Sequence, residues 1–253
     1  TTGDNNTAIG GNALYSSTTA SNNTAVGHNC LDANTEGHSN VAVGKDALGT
    51  NVDGDANTAV GFEALATMEP ANGDSSNVAV GYRAGKATTT GVRNTFIGAH
   101  AAIDHTIAND CVAVGRMALF ENTEGSSLVA VGMNAMLDNT TGVQNVGIGE
   151  SALSNNTTAS TNVAVGHNSM LDNTTGANNT AVGTLSLANN TTAAANTAFG
   201  YKALEDATEG HSNVACGAYA ISNVTDGDKN VALGFSAGAG ITTGGANICI
   251  GNE

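Results

Sequence analysis

Tryptophan is absent from this 253-residue chain, proline occurs once, and aromatic residues are limited to four Tyr and five Phe. Hydrophobic residues still make up 40% of the chain, carried mainly by Ala and Val, which fits a thin core and not a globular one filled with large side chains. Basic residues are equally scarce. Lys plus Arg number 7 against 22 Asp plus Glu, a formal net charge of -15. So acidic a surface repels the phosphates of nucleic acids and the headgroups of anionic lipids, and excludes both as partners. No run of about eighteen apolar residues occurs, so no membrane insertion is expected. The chain opens at Thr1 with neither Met nor a signal-like segment, as a processed or excerpted chain would.

What the chain does contain is one phrase repeated fifteen times: a polar residue, a β-branched residue, Ala, an aliphatic and Gly, as in Asn40-Val41-Ala42-Val43-Gly44. Its glycines run from Gly10, Gly27 and Gly44 to Gly234 and Gly251, always 17 residues apart except for the 20 between Gly61 and Gly81. Such a period identifies a solenoid whose units contact mainly their neighbours. With no linker, charge block or composition shift, residues 1–253 read as a single array, with a three-residue insertion within 62–76.

Each column of the repeat carries a structural expectation. The residue three before each Gly is always β-branched and the residue just before it is nearly always Val or Ile. These two share one face of a short strand, and the Ala between them points to the other. Three residues after Gly comes a small residue, followed in eleven of fourteen linking segments by Leu, Met or Ile; the exceptions are Gly85, Ala102 and Gly238. This pair predicts a second short buried segment, its aliphatic filling the coil interior. A polar corner follows, Asn-Thr-Thr-Gly in its purest form at Asn139 to Gly142 and Asn173 to Gly176, with the conformational tolerance of a turn. Each repeat is thus expected to be a flat coil of two short strands. A helical alternative would place Gly throughout helices, at about 1 kcal/mol each.

The expected fold class is therefore all-β: a parallel β-solenoid, or β-roll, of 15 stacked coils. At the strand spacing of about 4.8 Å it would form a rod roughly 70 Å long. Like residues then stack. The Asn four before Gly, present in all but two repeats (Cys111 and Leu128), becomes a ladder of side-chain amides. The corner Thr, found in twelve of fourteen links from Thr18 to Thr242, becomes a second ladder. On this column assignment Val131→Asp should be severe and Glu124→Gln nearly silent.

Chemistry-bearing residues are few and scattered. His28 and His167 share a column but lie eight coils apart, too far for one metal ion. His38 and His211 recur because Thr35 to Asn40 is duplicated as Thr208 to Asn213; His100 and His105 complete the set. Asp53-Gly54-Asp55 and Asp226-Gly227-Asp228 resemble fragments of calcium loops but lack the remaining ligands, which favours solvated turns. Cys30, Cys111, Cys216 and Cys249 occupy different columns at least two coils apart, replacing Ala, Asn, Val and Ala as small buried hydrophobes would; no disulfide or metal pairing is expected. No nucleophilic triad, phosphate loop or paired-Cys zinc spacing is present, so no catalytic, cofactor-binding or metal-binding residue is assigned and enzyme activity is not expected. Asn-x-Ser/Thr triplets, as at Asn139, Asn156 and Asn190, arise from the corner consensus and would take a glycan only on an exposed corner. The insertion around Met68 to Gly73, holding Pro70, should bulge outward as a tolerated or recognition loop.

The consensus Asn-Thr-Ala-Val-Gly-x-x-Ala-Leu-x-x-Asn-Thr-Thr-Gly, approached at Asn179 to Thr192, resembles repeats of tail-fibre-domain proteins of phages and bacteria. The strand phrase at Asn40 to Gly44 and Asn162 to Gly166 is also similar to the head repeats of trimeric autotransporter adhesins, which use a shorter coil than the 17 residues here. The resemblance covers the whole chain and implies a left-handed β-roll, three chains side by side, serving as a rigid shaft or adhesive head on a virion or cell surface. The expected function is a structural or adhesive rod, with a homotrimer and a cell-surface glycan or receptor as partners. One alternative is an extracellular filament subunit polymerising end to end, since Glu253 stops and Thr1 begins in the same corner segment. Another is an ice- or glycan-binding solenoid using the Thr column, reinforced by a second column at Thr141, Thr158, Thr175 and Thr192, although that second column is interrupted by Glu36, Asp53, Ile107, Glu124, Glu209 and Asp226.

Overall fold

A computed structural model of the chain describes residues 2–69 and 73–252. The fold is all-β, a parallel β-solenoid with one three-residue strand per repeat, fifteen among the described residues. No helix is long and apolar enough to cross a membrane among the described residues. Two compact units divide the chain at Ser127 and Leu128. The first holds β1 (Thr7–Ile9), β2 (Thr24–Val26), β3 (Val41–Val43), β4 (Thr58–Val60), β5 (Val78–Val80), β6 (Thr95–Ile97) and β7 (Val112–Val114). The second holds β8 (Val129–Val131), β9 (Val146–Ile148), β10 (Val163–Val165), β11 (Thr180–Val182), β12 (Thr197–Phe199), β13 (Val214–Cys216), β14 (Val231–Leu233) and β15 (Ile248–Ile250).

Within each unit every strand pairs in parallel with its sequence neighbour, and the repeat sets the register. Ala25 lies opposite Ala42 in the first unit and Ala164 opposite Ala181 in the second. The three extra residues between Gly61 and Gly81 leave this untouched, since Ala59 still faces Ala79. Pro70, Ala71 and Asn72, at the centre of the expected bulge, lie outside the described residues, as do Thr1 and Glu253, on which the end-to-end match rests.

Strand alternation resolves which face is inside, and it corrects the expectation for Val131. The central residue of each strand, Ala42 or Ala130 for example, is fully buried, whereas the β-branched residues on either side face outward and remain partly exposed. Val131 is one of these outward residues. The core is completed by the small residue three after Gly and the aliphatic that follows it, as at Ala152 and Leu153, both fully buried.

That second segment is buried as expected but is not a strand. It is a run of tight turns in which the residues two and four after Gly take left-handed backbone, as at Ser151 (φ 55) and Leu153 (φ 54). A left-handed residue other than Gly costs roughly 1–2 kcal/mol. Here the cost is offset by stacking: Leu153 N–H donates to Ser169 O at 3.0 Å and Leu31 N–H to Ala47 O at 3.1 Å, each in the next coil. The strand glycine is obligatory for a related reason. Gly166 holds φ 138, and a Cβ there would lie 2.6 Å from the carbonyl carbon and oxygen of Gly183 in the next coil.

Inside the coil, the central strand residue and the aliphatic four after the preceding Gly share one volume. Three irregular repeats show the trade. Phe96 replaces Ala in β6, and the residue eleven before it is Gly85, whose added Cβ would lie 2.6 Å from Phe96 Cδ2. Cys249 replaces Ala in β15 opposite Gly238, with 3.1 Å from that Cβ position to Cys249 Sγ. Conversely Gly147 in β9 is opposite Met136, whose Cγ lies 3.3 Å from where its Cβ would be. Close packing leaves room for one large side chain per pair.

Candidate functional site

Among the described residues the chemically notable groups are three polar ladders, one buried imidazole and the outward faces of the coils. The ladder of strand-leading Asn is internal. Asn162 Oδ1 accepts the backbone N–H of Asn179 at 2.9 Å, and Asn162 Nδ2 donates to Gly176 O at 2.8 Å. The same two bonds recur at Asn40, from Asn57 N–H at 2.9 Å and to Gly54 O at 2.7 Å. Each fully buried amide thus satisfies a backbone N–H of the next coil and shares a carbonyl there with the corner Asn, as Gly176 O also accepts from Asn173 Nδ2 at 3.0 Å.

The corner Asn forms a second internal ladder. Asn156 Nδ2 bonds both Asn139 Oδ1 at 2.7 Å and Ala159 O at 3.1 Å, and Asn173 repeats the pattern. Asn139, Asn156 and Asn190 are fully buried, so these corners present no accessible amide for a glycan. The Thr that follows bonds along the stack as expected: Thr157 Oγ1 donates to Thr174 O at 3.2 Å and Thr174 Oγ1 to Thr191 O at 3.0 Å. Its hydroxyl is turned to the neighbouring coil, which weakens an ice-binding role for this column.

A third ladder explains the duplicated histidines and the acidic corners together. In several coils the residue six before the strand Gly supplies a side-chain acceptor that caps the N–H of the same column in the preceding coil. His38 Nδ1 accepts from Ser21 N–H at 3.0 Å, and His211 Nδ1 from Ala194 N–H at 2.9 Å. Each neutral imidazole therefore carries its proton on Nε2. In turn Asp55 accepts from His38 N–H and Asp228 from His211 N–H, both at 2.6 Å. Asn109 and Ser160 fill the same role for Val92 and Val143. The Asp-Gly-Asp corners thus direct one carboxylate to backbone, and no metal-holding group of three or more His, Cys, Asp or Glu side chains forms among the described residues. Sequence reading missed this ladder because its members share hydrogen-bond acceptance rather than a residue type.

His105 occupies the corner Asn position and is fully buried. Its ring packs edge-on to Phe96 at 4.8 Å, Nδ1 lies 3.4 Å from Thr88 Oγ1, and Nε2 has no hydrogen-bond partner. Burial pushes its pKa down to about 4. The cysteines are all free; Cys30 and Cys111 are buried as expected and burial raises the Cys30 thiol pKa, whereas Cys216 is exposed on the outward strand face.

The remaining conspicuous groups are aromatic. Phe62 and Tyr82 stack at 5.3 Å with Arg83 over both rings, and Tyr82 meets His100 edge-on. In the second unit Tyr219 lies edge-on to Tyr201 at 5.3 Å and to Phe235 at 5.8 Å. Neither tract was foreseen, since neighbours in these clusters are a full coil apart in sequence.

These features define a parallel β-solenoid held by internal amide ladders. No protein-family model matches the chain, and comparison with curated proteins finds no significant relative.

Proposed function

We propose that the chain is a structural and adhesive rod, a segment of a phage tail fibre or bacterial surface fibre, acting outside the cell as a homotrimer and mechanically rather than catalytically. The outward strand face carries this reading. Its Val, Ile and Leu columns expose side chains such as Ile97 (41%) and Leu233 (48%) in every part of both units. An apolar stripe this regular is costly in water and is relieved when copies of the chain cover one another. Side-by-side assembly uses that stripe directly, and leaves the acidic corners outward, consistent with the net charge of -15.

Light scattering on a size-exclusion column tests the proposal. A mass three times that of the chain is expected, with Val165→Lys and Ile148→Lys on the outward face shifting it towards monomer. A monomeric wild-type chain would overturn the trimer. An open-ended series of masses would favour the filament alternative instead.

A further inference from the structure

We propose that the aromatic tract of the second unit, Tyr201, Tyr219 and Phe235 with Lys202 and Glu205 beside it, is a binding site for a neutral saccharide. It sharpens the adhesive reading above and rests on it for biological meaning, but the binding is measurable whatever the oligomeric state.

Three of the four aromatic residues of residues 128–253 fall in this one tract, and none of the four is in the core; the fourth, Phe199, lies on the outward strand face. Phe235 is 52% exposed, and both tyrosines are exposed as well. The fold does not require them. The column that holds Tyr201 and Phe235 holds Gly11, Thr184 and Ala218 in other coils, and the column of Tyr219 holds Asn12, Asn29, Asn134 and Asn168. Tyr219 moreover sits at φ 59, as its whole column does, a left-handed backbone that costs any residue but Gly roughly 1–2 kcal/mol. Large rings are thus kept at the surface without the return of burial.

The ring geometry suits a sugar. Successive rings meet at 85° and 74°, so the tract alternates faces and edges instead of closing into a parallel stack. Electron-rich faces attract the weakly positive C–H groups of a pyranose, as they attract cations. Tyr201 and Tyr219 add phenol hydroxyls, and Lys202 with Glu205, paired at 3.0 Å and with Lys202 Nζ 5.8 Å from the Tyr201 ring, adds a donor and acceptors for sugar hydroxyls.

Charge and size select the ligand class. The one cation at the tract is already neutralised by Glu205, and a chain of net charge -15 repels anionic polymers. The tract spans three coils, about 10 Å along the stack at the strand spacing. That matches a few sugar units and falls well short of the roughly 800 Å² per partner of a stable protein interface.

Saturation-transfer NMR and calorimetric titration with cellohexaose, maltohexaose and chitohexaose test the site, with a hyaluronan oligosaccharide as anionic comparator. Binding of at least one neutral hexasaccharide is expected, weakened by about tenfold or more in Tyr201→Ala/Phe235→Ala. Tyr82→Ala, in the other unit, should leave it unchanged, and circular dichroism should show all variants folded. Absence of saturation transfer to every neutral probe, equal binding by the double variant, or preference for hyaluronan would each overturn the proposal. A native mass lowered by the double variant, with no saccharide response, would assign the tract to contacts between copies and likewise overturn it. A monomeric wild-type chain that still binds sugar would sink the trimer while leaving this site standing.

Discussion

Replacing Phe96 by Ala restores the strand consensus yet should destabilise the first unit, because its partner Gly85 cannot fill the space released. Phe96 is among the largest fully buried side chains, and truncation of a buried Phe costs about 3–5 kcal/mol in transfer and cavity terms. Gly85→Leu alone should also be costly: the added Cβ would lie 2.6 Å from Phe96 Cδ2 and 3.0 Å from Leu65 Cδ2, an overpacking worth roughly 1–3 kcal/mol or more. The backbone is not the obstacle, since Leu65 and Leu119 hold the same column at φ 47 and 53. The double variant Phe96→Ala/Gly85→Leu recreates the arrangement of ordinary repeats and should recover most of both losses, a favourable coupling of about 2–3 kcal/mol between residues in contact. Equilibrium urea unfolding followed by circular dichroism measures all four corners of the cycle. Additivity within about 0.5 kcal/mol would refute the shared-volume account.

Three further outcomes follow from the same geometry. His105, with its pKa lowered from 6.5 to about 4, binds fewer protons folded than unfolded across that interval, so stability should be full above pH 6.5 and decline as pH falls towards 4. The loss approaches about 3 kcal/mol, and His105→Asn, the consensus residue of its column, should flatten the urea midpoint against pH; an unchanged slope would contradict the burial argument. Asn162→Ala leaves the buried Asn179 N–H without its partner, while Gly176 C=O keeps the bond from Asn173 Nδ2, and should cost roughly 1–3 kcal/mol by thermal or urea unfolding, whereas a loss under about 0.5 kcal/mol would mean that water replaces the amide. Ala130→Asp, pointing inward, should prevent folding of the second unit, while Val131→Asp, pointing outward, should be tolerated by the isolated chain and act chiefly on association; circular dichroism and light scattering separate the two effects.

Period, strand phrase and columns were legible because a repeat multiplies weak signals: a β-branched residue three before Gly means little once and a great deal fifteen times. The strand-leading Asn ladder and the stacked Thr hydroxyls followed from that periodicity. The second buried segment was correctly placed but wrongly shaped, since a small residue followed by Leu signals burial and not conformation; only the stacked hydrogen bonds allow Leu153 and its equivalents their left-handed backbone. Asn139 was legible as a turn residue, but only the structure shows its amide closing the corner from inside through Gly142 O at 3.1 Å.

The sequence by itself determined the period, the all-β class, the in-register stacking and the residues that carry the amide and hydroxyl ladders, because each is a statement about positions 17 apart. Only the tertiary structure decided which strand face is the core, since alternation in Val-Ala-Val defines two faces without saying which is wet. Close packing of a narrow coil settles it: there is room inside for Ala beside Leu, and none for Val. The same choice turns the β-branched columns outward, and brings Tyr201, Tyr219 and Phe235 from three successive coils into one surface tract.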